Sequence, residues 1–230
     1  MIYLADTANI AEIKELVNYF PIAGVTTNPT ILSREKKPLS VIVPEIMQCI
    51  GDRDIHVQLI AETAEDMLKE AVKYRDCLRL KNFYVKIPVT LEGLKAIPQV
   101  KANGIAVTAT AIFTQPQALL AACAGADFVA PYVNRLIKND GNGIGLVADI
   151  VKSFYLFDLP TKVLAASFKD AEQVYKVSLT GCQAVTTSYQ VLKSLLAHPL
   201  TDKSVANFMN DSYPIFAIKS GIRKVLIYQL

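Results

Sequence analysis

Eight short runs rich in β-branched and apolar residues, beginning near Ile2, Ala23, Ile55, Phe83, Ile105, Asp127, Lys162 and Ala184, alternate along the chain with segments of helical period. The runs are nearly continuous in apolar residues, as parallel strands covered on both faces require. Between them, Ile10, Ile13, Leu16 and Val17, or Met67, Leu68, Ala71 and Val72, recur at spacings of three and four and read as amphipathic helices. Eight strand–helix units in series predict an α/β fold, a single-domain (β/α)8 TIM barrel. That architecture typically takes ~250 residues, so a chain of 230 must connect its elements with short loops. An open doubly wound sheet would place a G-x-G-x-x-G turn after an early strand. The nearest spacing, Gly141-Asn142-Gly143-Ile144-Gly145, follows no good strand and lacks the third glycine position; it reads as a turn starting a helix near Leu146.

Helix and strand punctuation agrees. Asp6 or Thr7 is expected to cap a helix beginning near Ala8, and Thr63 one beginning at Ala64, with Asp66 three residues on. Pro44, Pro98 and Pro116 are expected near helix starts. Pro88 and Pro131 are expected at the ends of their strands, where a missing N–H is tolerable. Residues 1–200 suffice for the barrel. Residues 201–230 then form an additional C-terminal helix, from Asp202 to Ser212, and the apolar tail Val225-Leu226-Ile227-Tyr228-Gln229-Leu230. Apolar surface beyond a closed core must fold back on its own barrel or pack on a neighbouring subunit of a homo-oligomer, and the second is the expected solution.

Composition narrows the function classes. The 24 basic and 21 acidic residues are dispersed, without a dense basic block, so nucleic acid is not an expected partner. No apolar run approaches the ~20 residues of a membrane span, and Met1-Ile2-Tyr3-Leu4 enters a strand directly, so no membrane or export role is expected. Cys49, Cys77, Cys123 and Cys182 are widely separated, which fits reduced thiols and a cytoplasmic location. With only His56 and His198, a histidine-rich metal centre is not expected, and no metal or organic cofactor is required.

One residue resists a packing explanation. Lys86 interrupts the apolar run Phe83-Tyr84-Val85-Lys86-Ile87-Pro88-Val89. Its ammonium could snorkel to water, or, if desolvated, lose its proton preference and become a nucleophile toward a carbonyl. Other polar residues stand at the C-terminal ends of the remaining strands: Asp6, Thr26, Asn28, Gln58, Thr110, Tyr132, Arg135, Ser167, Lys169 and Ser188. A barrel gathers such ends at one mouth. Each has an ordinary alternative, Asp6 as a helix cap, Asn28 as a pre-proline turn residue, Thr110 as a β-former and Arg135 as a surface charge. Together, an amine, a carboxylate, amides, hydroxyls and a phenol suit Schiff-base chemistry on a ketone. Arg135 and Lys169, with Ser167, could hold a phosphate, which points to sugar phosphates and hydroxyketones as small-molecule substrates.

Five segments carry a resemblance: Leu4-Ala5-Asp6-Thr7-Ala8, Gly24-Val25-Thr26-Thr27-Asn28-Pro29-Thr30, Val85-Lys86-Ile87-Pro88-Val89-Thr90, Ala130-Pro131-Tyr132-Val133-Asn134-Arg135 and Leu164-Ala165-Ala166-Ser167-Phe168-Lys169. From about Ile2 to about Phe208 the chain resembles the small transaldolase family, most closely its fructose-6-phosphate aldolase branch. The resemblance implies a (β/α)8 barrel in which Lys86 forms the Schiff base and Asp6 helps to deprotonate a substrate hydroxyl. It further implies that Asn28 and Ser167 bind hydroxyls of a dihydroxyacetone unit, that Arg135 binds phosphate with Ser167 and Lys169, and that Thr110 helps to hold a catalytic water. Pentameric or decameric assembly is implied as well. Transaldolases carry glutamate where Gln58 stands and phenylalanine where Tyr132 stands. A carboxylate acting through water is a strong base, whereas glutamine only orients water and leaves the proton to a phenol. Three functions are therefore carried forward: an aldolase acting on fructose 6-phosphate, a transaldolase passing a dihydroxyacetone unit between sugar phosphates, and a non-catalytic sugar-phosphate-binding barrel.

Overall fold

A computed structural model describes residues 1–78 and 82–215. In the unit from Met1 to Ser194, β1 (Ile2–Asp6), β2 (Ile22–Thr26), β3 (Asp54–Gln58), β4 (Phe83–Pro88), β5 (Ala106–Ile112), β6 (Phe128–Pro131), β7 (Lys162–Ala165) and β8 (Ala184–Thr187) pair in parallel and in sequence order. Closure comes from β8, which returns to β1 with Thr186 opposite Leu4 and Thr187 opposite Ala5. The fold is the TIM barrel anticipated from the alternation, and each strand starts within one residue of its expected position.

The helices depart from expectation in detail. Asn9, not Asp6 or Thr7, caps α1 (Ile10–Tyr19): its Oδ1 accepts from the backbone N–H groups of Ala11 and Glu12 at 3.0 and 3.1 Å. Asp6 is thereby left for another task. Two connections contain an extra short helix, α2 (Pro29–Arg34) ahead of α3 (Leu39–Ile50), and α7 (Val133–Ile137) ahead of α8 (Gly143–Leu156). Thr63 does cap α4 (Ala64–Leu78), accepting from Asp66 N at 3.2 Å. Pro44 lies inside α3 and Pro98 inside α5 (Leu91–Ala102), contrary to their expected place at helix starts. Each deletes one hydrogen bond to the carbonyl four residues earlier, in helices whose inner faces bury Ile42, Ile46 and Ile50, or Ala96, Ile97 and Val100. Pro116 does begin its helix, α6 (Gln115–Cys123), and Pro88 and Pro131 do end their strands. The series closes with α9 (Ala171–Ser178) and α10 (Tyr189–Leu196).

Strand alternation sorts side chains between two layers. On β4, Phe83, Val85 and Ile87 join the core shared with the surrounding helices. Tyr84, of opposite parity, packs against the barrel-interior cluster of Leu4, Phe128, Leu164 and Ala184. Lys86 and Pro88 share the parity of Tyr84, so the geometry of the strand directs Lys86 inward. Gly24 on β2 is required by close approach, because a Cβ there would collide with the carbonyl and Cβ of Asp54 on β3. At the opposite end of the barrel, Lys101 Nζ bridges both carboxylate oxygens of Asp127 at 2.6 and 2.7 Å, while Asp127 Oδ2 accepts from Val107 N at 2.7 Å.

The second unit begins at Leu195 and contains α11 (Pro199–Ile215), which includes the expected Asp202–Ser212 helix. Leu200, Val205, Phe208 and Met209 on it are all exposed. The tail Val225–Leu230 lies outside the described residues. Among the described residues no helix is long and apolar enough to cross a membrane.

Candidate active site

The C-terminal strand ends enclose a cavity of about 300 Å³. Of the ten residues singled out from sequence as catalytic or substrate-binding, eight line it: Asp6, Thr26, Asn28, Gln58, Lys86, Tyr132, Arg135 and Ser167. Thr110 joins through its Oγ1, which lies 3.1 Å from the Tyr132 hydroxyl. Lys169 does not line the cavity; its side chain is exposed and its amide donates to Gln173 Oε1. Ser188 stands outside too, accepting from Val191 N at 3.4 Å at the start of α10. A larger surface hollow of about 830 Å³ touches Lys14, Lys37 and Glu45. There Lys37 and Glu45 neutralise each other at 2.6 Å.

Lys86 is 5% exposed, so its amine does not snorkel to water. Nζ donates to the Thr27 carbonyl at 2.8 Å. Burial pushes the ammonium pKa below that of an ordinary lysine, and the nearby negative charge of Asp6 offsets part of that drop. An amine held in this way is available for attack on a carbonyl nearer to neutral pH. The Asp6 carboxylate is fixed by Thr26, whose Oγ1 donates to Oδ1 at 2.7 Å. Asn28 has a double use. It lines the cavity while its Oδ1 caps α2 by accepting from Ile31 N at 3.0 Å.

Two backbone features shape the opposite wall. The register of β5 slips between Ala109 and Ile112, where Ala111 adopts the left-handed region at φ 59°. Without that extra residue Ile112 would share the inward parity of Thr110; with it, Ile112 enters the helix-facing core and Thr110 keeps the interior. Ser167 is also left-handed, at φ 63°, while its carbonyl accepts from Asn134 N at 2.7 Å. Non-glycine residues rarely adopt this conformation, and such strain concentrates at functional sites. Tyr132 sits between Phe113, edge-on at 5.5 Å, and the Arg135 guanidinium, 4.8 Å from the ring centroid.

Two further interior residues were not selected from the sequence. Thr186 lines the cavity, with Oγ1 2.7 Å from Thr26 Oγ1. His56 is fully buried; its Nδ1 lies 2.8 Å from Thr108 Oγ1 and its ring stacks on Tyr84 at 4.4 Å. Burial, and secondarily the charge of Lys86, drop its pKa from 6.5 to about 3, so the imidazole is neutral. The available signal was parity: His56 stands two residues before Gln58, and Thr186 two before Ser188.

The arrangement can bind an anion at Arg135, form an imine at Lys86, and move protons at Asp6 and Tyr132. Comparisons with known proteins establish the family of the chain. The family model described as Transaldolase/Fructose-6-phosphate aldolase matches residues 3–223. A probable transaldolase of Clostridium acetobutylicum is 42% identical over 207 residues, covering 90% of this chain and 94% of that protein. A probable transaldolase of Kosmotoga olearia is 41% identical over 207 residues, covering 90% and 93%. Among solved structures, a mandelate oxidase variant carrying an FMN adduct superposes with a TM-score of 0.56 at 14% identity, over 82% of this chain and 64% of that one. A second reaches 0.57 over 81% and 65%. This chain spans less than two thirds of those oxidases, and the likeness concerns the fold alone.

Proposed function

This chain belongs to the transaldolase/fructose-6-phosphate aldolase family, and from that premise we propose that it is a class I aldolase that cleaves fructose 6-phosphate to dihydroxyacetone and glyceraldehyde 3-phosphate, or forms it from them. The observation that carries the reading is the pairing of Gln58 and Tyr132 in one cavity with a buried lysine. No carboxylate stands at position 58, and the Tyr132 hydroxyl, 3.1 Å from Thr110 Oγ1, supports giving the proton work to the phenol.

In this reading the neutral Lys86 amine adds to the ketose C2 carbonyl, and loss of water gives the iminium. The Asp6 carboxylate takes the proton from the C4 hydroxyl as the C3–C4 bond breaks. The bonding pair moves into the iminium, leaving an enamine on Lys86 and releasing the aldehyde. The Tyr132 phenol gives its proton to C3 and recovers one from Asp6 through water, and a water positioned by Gln58 and Thr110 hydrolyses the imine to free dihydroxyacetone and the Lys86 amine. Arg135 holds the phosphate by parallel hydrogen bonds, aided by Ser167 and the more distant charge of Lys169. No step calls for a metal or organic cofactor.

Transaldolase activity is the second reading, favoured by the names of both relatives. It uses the same Lys86 imine and hands the three-carbon unit to an acceptor sugar phosphate. Borohydride added during incubation with fructose 6-phosphate should fix an adduct on Lys86, detectable by peptide mass spectrometry. Turnover is then compared with and without erythrose 4-phosphate. Release of free dihydroxyacetone at an acceptor-independent rate supports the aldolase, whereas strict dependence on acceptor supports transfer. An unmodified Lys86 in folded protein that binds the sugar phosphate would refute both and leave a binding barrel. The same reading assigns α11 to contact with a neighbouring subunit of a homo-oligomer, supported by the exposure of Leu200, Val205, Phe208 and Met209. Light scattering on the full chain and on a version ending at Ala197 tests it.

A further inference from the structure

The carboxylate of Asp6 ends a chain of hydroxyls whose direction can be deduced. An ionised carboxylate only accepts, so Thr26 commits its single hydroxyl proton to Asp6 Oδ1 at 2.7 Å. Thr186 Oγ1 lies 2.7 Å from Thr26 Oγ1 and must therefore be the donor in that contact. The order Thr186 to Thr26 to Asp6 joins β8 to β2 to β1 across residues 160 positions apart. Both threonines are buried, at 0% and 2% exposure, and hydrogen bonds in such a chain polarise one another where water is excluded. Asp6 Oδ2 has no hydrogen-bond partner among the described residues and is the oxygen left for substrate.

We propose that Thr186 is a positioning residue for Asp6, acting through Thr26 to fix the carboxylate with one oxygen occupied and the other presented to the substrate hydroxyl. The assignment rests on the reading in which Asp6 handles a substrate proton during carbon–carbon cleavage. Two alternatives make different predictions. A direct substrate contact by Thr186 would affect binding, and a purely structural threonine would affect stability.

The test uses the full chain with Thr186→Val, Thr186→Ser, Thr26→Val and the double variant Thr26→Val/Thr186→Val, each assayed for kcat, KM and thermal unfolding. Thr186→Val should lower kcat about tenfold, the scale of one lost hydrogen bond at ~1.4 kcal/mol, with KM changed less than twofold. Thr186→Ser should restore kcat. The double variant should be no slower than Thr26→Val alone, because the outer hydroxyl acts only through the inner one. Unchanged kcat, a rise in KM at constant kcat, or losses that multiply in the double variant would each overturn the assignment. If Thr186→Val does not fold, Thr186→Ala carries the same comparison. Borohydride trapping of the wild-type protein separates the two levels. Failure to label Lys86 removes the proposed function and this assignment with it, whereas normal labelling with an unaffected Thr186→Val removes this assignment alone.

Discussion

The neutral imidazole of His56 should make the barrel sensitive to acid by a calculable amount. In the folded protein its pKa is about 3, against 6.5 for the unperturbed group. The folded state therefore binds fewer protons than the unfolded state between those values, and stability falls as the pH drops through that window. One pKa unit corresponds to ~1.4 kcal/mol, so the loss is about 2 kcal/mol at pH 5 and levels off near ~5 kcal/mol below pH 3. Against a typical total of ~5–15 kcal/mol this is large. His56→Phe combined with Thr108→Val removes the titration without stranding the threonine hydroxyl. Urea unfolding of both proteins at pH 8 and pH 5 isolates the effect, because any pH-independent cost of repacking cancels in the difference. The variant should lose about 2 kcal/mol less than the wild type over that interval. Repeating the pair in a Lys86→Met background removes the lysine's own titration and leaves burial, the larger cause of the His56 shift. An equal loss in both proteins would refute the claim that this imidazole is held neutral by burial.

Other expectations follow from the same geometry. Lys86→Met should abolish borohydride trapping and raise stability at neutral pH, since it removes a desolvated amine. The folded lysine's pKa is lowered, so the wild type should gain stability relative to the Met variant as pH rises toward 10.5, and thermal unfolding of both proteins across that range checks the sign of the difference. Gly24→Ala should destabilise by about 1–3 kcal/mol, because its methyl meets the Asp54 backbone and can be admitted only by parting β2 from β3; urea unfolding reads this. Tyr132→Phe should cut release of free dihydroxyacetone by about 100-fold or more while leaving Lys86 trapping intact, and undiminished release would take the phenol out of the proton transfer.

Short, nearly continuous apolar runs alternating with segments of period near 3.6 were enough to locate the eight strands, since a run such as Val85–Val89 can bury both faces only between a barrel interior and a helical layer. The anomalous charge of Lys86 and the polar residues at strand ends were visible for the same reason: apolar strands make them conspicuous. Which of those residues would meet was decided by closure. Thr186 and Thr26 touch because β8 pairs with β1, a contact no local spacing encodes. Asp6 reaches the cavity because it ends β1 with the inward parity of Leu4, while Asn9, three residues on, takes the capping position. A single extra residue at Ala111 sent Ile112 outward from the inward parity it would share with Thr110, while Lys169 remained exposed although its motif neighbour Ser167 lines the cavity. Local pattern specifies which face of an element is apolar. Only the packed whole fixes the sub-ångström positions and the exclusion of water that turn an inward lysine into a nucleophile.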